Sequence, residues 1–82
     1  MKEIPFVGQM VKLPHDQGVW QVIEVNQLRL APGRFILRLV HVANTPISEF
    51  CQLMMMRQGY FAAFSSDVEA PGPLFQLAAQ SE

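Results

Sequence analysis

Hydrophobic positions gather in two runs on either side of a Pro-Gly pair. The first is Gly-Val-Trp-Gln-Val-Ile-Glu-Val at 18–25; the second is Arg-Phe-Ile-Leu-Arg-Leu-Val-His-Val-Ala at 34–43. Val, Ile, Phe and Trp suit a pleated surface, where a branched Cβ or a flat ring packs against its neighbours. The connection at 26–33 ends in Ala31, Pro32 and Gly33. Proline presets φ for the second position of a turn and glycine accepts positive φ at the third. The pattern predicts a β-hairpin with a long connection over 18–43.

The two faces of that hairpin pose a problem of cover. Phe35, Leu37 and Leu39 fall on one side of the second run, and Ile36, Arg38, Val40 and Val42 on the other. A strand with one wet face alternates cleanly, whereas this one is apolar on both sides and broken mainly by Arg38 and His41. In the first run Trp20 and Val22 oppose Val19, Ile23 and Val25. Either both faces are covered, or a bulge shifts the phase between Val22 and Val25. A chain this short has little material to cover a sheet twice, so a second copy is the natural supplier.

Around the hairpin the pattern predicts an arm at 1–6, a period-two strand at 8–13 with Val11 and Leu13 on one side, and a turn at 14–18 built from Pro, Asp and Gly. The segment 44–59 reads two ways. As a helix it has Thr45 to cap, Pro46 at the first helical position, Glu49 early, Arg57 late and Gly59 just beyond. Ile47, Phe50, Cys51 and Met54 then form one stripe, while Leu53, Met55 and Met56 leave a second sticky side. As strands, 50–56 and 60–64 would be joined by Arg57-Gln58-Gly59. Three methionines favour the helix. Beyond it the pattern predicts a strand at 60–64, a polar single turn at 65–69, a Pro-Gly-Pro loop at 70–73, a last short strand at 74–78 and a tail.

This order resembles the small five-stranded barrels of Src homology 3-like type, in which a single helical turn separates the last two strands, here at 65–69. The resemblance implies a mainly β fold: a five-stranded Src homology 3-like barrel with one helix inserted near 46–58, where such barrels carry a tight hairpin. The alternative is an α+β fold, an antiparallel sheet with one helix. Within it, Gly8-x-x-Val11-Lys12, a turn, and Gly18-x-Trp20-Gln21 are similar to the start of the plasmid- and integron-borne type II dihydrofolate reductases, which are tiny tetrameric barrels. The Val-Gln-Ile-Tyr strand from which that family builds its pore has no match; the nearest string, Leu74-Phe-Gln-Leu, lacks the tyrosine. No catalytic residue is therefore carried over. The likeness implies small barrels that bury apolar faces between subunits, and a gene carried on an integron or other mobile-element cassette.

Composition sharpens the expectation of an oligomer. The 82 residues are 50% hydrophobic and 16% charged, against a usual charged share of about 25%. A chain of this length makes one domain, and domains of this size bury only about 60% of their unfolded surface. Cys51 is the sole cysteine, so there is no internal disulfide to brace the fold. Excess apolar surface then argues for an oligomer, the alternative being a monomer with a dense core and a sticky surface. The net charge of −1 provides no field for nucleic acid or an anionic membrane. No apolar run reaches the roughly 20 residues that span a bilayer, the start lacks a signal-peptide core, and a lone thiol fits the cytoplasm.

Candidate chemistry is sparse. Trp20 is either a stacking platform or core. Arg38 and His41 are three apart on one strand and point to opposite faces. Arg34 and Arg38 share a face with Ile36 and Val40, where they could hold an anion or a carboxylate across an interface, joined by Arg29. His15 and Asp16 lack a third metal ligand and suit a turn. Cys51 has only His41 or His15 as a thiol–imidazole option, and the helical stripe turns it inward. There is no phosphate loop, Ser-His-Asp order or carboxylate pair, so neither a metal nor a cofactor is expected. The reading is a small noncatalytic binding module that self-associates, through Ile36, Val40 and Val42 or through a ridge of Met55 and Met56. Trp20, Arg34, Arg38, His41 and Tyr60 are the candidate ligand or interface residues, for an unknown small ligand or protein. The alternative is a small-ligand site or enzyme on a symmetry axis, using Arg34, Arg38, His41 or Tyr60 from several chains.

Overall fold

The computed structural model describes residues 4–69. Four strands, β1 (Met10–Lys12), β2 (Val19–Gln27), β3 (Phe35–His41) and β4 (Phe61–Phe64), form one antiparallel meander in the order β1-β2-β3-β4. A helix, α1 (Glu49–Gln58), lies between β3 and β4, and a 3₁₀ turn, Ser65–Asp67, follows β4. This is an open α+β sheet with one helix, which corrects the expected five-stranded barrel. Among the described residues the chain after the 3₁₀ turn meets β1 at one bridge, where Lys12 and Glu69 exchange backbone hydrogen bonds of 2.7 and 3.0 Å. Closing a barrel requires strands long enough to tilt and stagger together; β1 has three residues and β4 four. The strand expected at 74–78 lies outside the described residues, as do the loop at 70–73 and the tail.

The phase problem of the first run is answered by a bulge. Pairing runs from Trp20–His41 to Val22–Leu39, then resumes at Glu24–Arg38, so the register shifts between Val22 and Glu24. The extra residue brings Val22 and Val25, three apart, to the same face, against Leu39 and Leu37. Val11, Trp20, Val22, Leu37 and Leu39 are fully buried there. Trp20 is therefore core. At the far end of the hairpin, Leu28 N–H donates to Arg34 C=O at 3.0 Å. Within that loop Arg34 N–H donates to Ala31 C=O at 3.0 Å with Gly33 at φ 82°, the type II arrangement that Pro32-Gly33 predicts.

The helix starts three residues later than Thr45 would cap it. Ser48 is the N-cap, its Oγ accepting Cys51 N–H at 3.2 Å. Thr45 is engaged elsewhere: its hydroxyl donates to Val42 C=O at 2.8 Å and accepts Val19 N–H at 3.1 Å. The helix stops where expected, with Gly59 at φ 82° and its N–H on Met55 C=O at 2.8 Å. Its inward row is Cys51 and Met55, continued by Ile47 just ahead of the cap, and all three pack on the core. Phe50 and Met56, at 64% and 78% exposure, lie outside it. Polar and apolar positions are spread around α1 with little preferred phase, so docking on the sheet decides which four-residue row turns in.

Gly18 sits where two segments cross. A Cβ there would overlap the Pro46 carbonyl oxygen, which is backbone and cannot step aside. Gly33 has open space around it and only its positive φ to lose. Gly18→Ala is expected to cost about 2 kcal/mol or more by overpacking, and Gly33→Ala about 1 kcal/mol through backbone strain. Urea unfolding of the two variants checks the order; equal losses would contradict the crossing.

Candidate functional site

The buried charged group among the described residues is the carboxylate of Asp16, only 7% exposed. Its Oδ2 accepts Gly18 N–H and Trp20 Nε1–H, both at 2.9 Å, and its Oδ1 accepts Ser48 N–H at 2.7 Å. The first bond is the turn chemistry expected of 14–18. The other two tie that turn to the indole in the core and to the start of α1. Burial raises the Asp16 pKa, but the donors from Trp20, Ser48 and Gly18 outweigh it and hold the group below its ordinary 3.8.

Beside this knot opens a cleft of about 750 Å³, within the size range of small-molecule pockets. Leu13, Pro14 and His15 form one wall, Phe50 and Cys51 of α1 a second, and Ile36 with all of β4 a third; Asp67 stands at its margin. The lining is chiefly apolar and aromatic, with Phe50 and Phe61 edge to face at 6.2 Å between ring centres. The Asp16 carboxylate reaches the cleft already engaged with three donors. Among the described residues no group of three His, Cys, Asp or Glu side chains could hold a metal ion. No helix among them is long and apolar enough to cross a membrane.

The residues singled out from the sequence separate into two places. Arg34, Arg38 and Tyr60 share the outer face of the sheet: Arg34 lies over the Phe64 ring at 4.2 Å, and Arg38 over the Tyr60 ring at 4.5 Å. Arg38 Nε also pairs with Glu24 at 2.9 Å, both side chains being nearly half exposed, a geometry worth little in water. His41 belongs to the opposite, inner side. Its Nε2–H donates to Pro46 C=O at 2.9 Å and lies as close to Thr45 Oγ1, and its ring meets Trp20 edge-on at 5.4 Å. His41 and Trp20 are thus a cross-strand packing pair and do not join the arginines. Arg29 is exposed in the 28–34 loop.

Of the expected apolar contacts, Ile36, Val40 and Val42 are half-buried and Met56 is exposed, while Met55 is turned onto the core by the phase of α1. Cys51 is 5% exposed. Asp16, Ser48 and Phe50 have site roles that sequence reasoning missed. Spacing held one hint: Asp16 and Trp20 are the ends of a short turn, and a buried indole N–H needs an acceptor nearby. No protein-family model, characterised protein or solved structure matches the chain.

Removing the Asp16 acceptor leaves buried donors unsatisfied, at about 1–3 kcal/mol each. Asp16→Ala is expected to lose about 3 kcal/mol at neutral pH, and Asp16→Asn less. The folded-state pKa lies below the unfolded one, so the ionised group contributes stability above the unfolded value of 3.8 that is lost as pH falls through the folded value. The gap between wild type and Asp16→Asn, measured by urea unfolding across pH 7 to 2, is expected to narrow only in acid. A gap independent of pH would contradict the account.

Proposed function

We propose that the protein is a small noncatalytic interaction module that associates with further copies of itself. One observation carries this reading: α1 leaves Phe50, Leu53 and Met56 exposed, at 64%, 50% and 78%, beside an apolar cleft. A 50% hydrophobic chain with only nine buried apolar residues among those described has such surface to spare, and large exposed patches mark interaction sites. Phe64 and Ile36 continue the patch onto the sheet. The buried Cys51 thiol suits a reducing, cytoplasmic setting.

A second reading, a small-ligand site completed by another copy, is favoured by the cleft volume. A thermal-shift screen with nucleotides, folates and simple anions separates the two, since only the ligand site is stabilised by such compounds.

Sedimentation equilibrium of the full chain is expected to show a dimer or larger species. Phe50→Ser should weaken it by about 2 kcal/mol, the scale of an aromatic interface anchor, while leaving the circular dichroism intact. A monomer at high micromolar concentration would refute the reading.

A further inference from the structure

We propose, resting on self-association, that two copies join by antiparallel packing of α1 on α1 about a two-fold axis at Leu53. Successive residues of an α-helix are about 100° apart. Measured from Leu53, Glu49 and Arg57 then lie about 40° to either side, and Phe50 and Met56 about 60°. Cys51 and Met55, which pack on the core, lie about 160° away. All five residues of the outward face are exposed. Neither Glu49 nor Arg57 has an ion-pair partner among the described residues.

Charge decides both the occupant and its direction. Glu49 stands in the first turn of α1 and Arg57 in the last, so the face is acidic at one end, basic at the other and apolar between. Such a face is complementary to itself turned end for end. Parallel packing would set Glu49 against Glu49 and Arg57 against Arg57. Antiparallel packing sets each against its opposite, and it also lines up the positive end of one helix dipole with the negative end of the other. A second copy of α1 meets both charges at once.

The axis follows from the spacing. Antiparallel helices centred on Leu53 bring to one level the residues equally distant from it. Phe50, three before, meets Met56, three after, a sulfur–aromatic contact. Glu49, four before, meets Arg57, four after, and the two-fold axis makes each contact twice. Centring on Phe50 or Met56 slides the helices by about 9 Å and takes both charges out of reach. Centring on Gln52 or Met54 turns the face by about 100°, away from the apolar positions. A centre half a residue from Leu53 slides the helices by only about 1.5 Å, within the swing of an arginine side chain, and is the same interface.

The test uses the full chain in sedimentation equilibrium and mild oxidation. Glu49→Arg and Arg57→Glu each set like charges against one another at both ends, and each is expected to raise the dissociation constant at least about tenfold. An equimolar mixture of the two variants restores both opposite-charge pairs and is expected to dimerise close to wild type, with circular dichroism unchanged throughout. Helices packed about 9 Å apart bring the Cα atoms at the axis to about 5 Å, within disulfide range, so Leu53→Cys is expected to cross-link into a dimer. Gln52→Cys, exposed but turned aside, stays uncross-linked, as does wild type, whose Cys51 is buried. If a charge variant fails to fold, the cysteine pair decides. Three outcomes in a dimeric wild type overturn the helix pairing while leaving self-association standing: Leu53→Cys no more reactive than Gln52→Cys, a folded charge variant that dimerises as wild type, or a mixture that stays monomeric. A monomeric wild type, the outcome if residues 70–82 of the same chain cover α1, overturns both.

Discussion

One buried carboxylate holds three parts of this small domain in register. Asp16 receives the indole of Trp20, the amide of Gly18 and the amide of Ser48. A charge so little exposed is costly unless every lone pair is directed at a donor, and here two of the donors belong to segments distant in the chain or deep in the core. The bond to Ser48 spans 32 positions. It fixes where α1 begins, and thereby which row of that helix meets the sheet. The glycine two residues on from Asp16 completes the junction, because only a residue without a Cβ lets the Pro46 carbonyl pass so close. Without a disulfide, this polar junction is what clamps a helix of ten residues to a sheet it could dock in several orientations.

Local chemistry made parts of the fold legible. Pro32-Gly33 dictates its turn through φ alone, and Gly59 ends α1 because the left-handed conformation suits it. The irregular spacing of Val22 and Val25 already required either double cover or a bulge, and the bulge is what occurs. The rest depended on contacts that spacing does not encode. Thr45 and Ser48 are both good caps, and the choice fell to Ser48 because Thr45 was taken by Val19 and Val42. Spacing does not single out the inward stripe of α1, because nearly every apolar position there fits one. The barrel expectation assumed that order of elements implies closure, whereas strands of three and four residues leave the sheet open.

The candidate site was legible in proportion to how local it is. Arg34 and Arg38 share a face because they are four apart on one strand, and strand geometry carries that directly. That Phe64 and Tyr60 lie beneath them depends on how β4 pairs, which no local pattern reveals. The cleft draws its walls from the β1–β2 turn, β3, the start of α1 and β4. Spacing alone puts its main aromatic, Phe50, on the inward stripe of the helix, whereas it is 64% exposed and lines the cleft. Turn formation is all that the sequence around Asp16 encodes, and it uses only one of the three bonds.

The bulge also bears on how this hairpin tolerates insertion and deletion. Glu24 opposite Arg38 and Val25 opposite Leu37 continue, one for one, the ladder that Val22 and Leu39 begin. Ile23, 44% exposed, is the supernumerary residue between them. A chain lacking it would read inward, outward, inward from Val22 to Val25 without interruption, so the mixed phase of that stretch traces to a single residue.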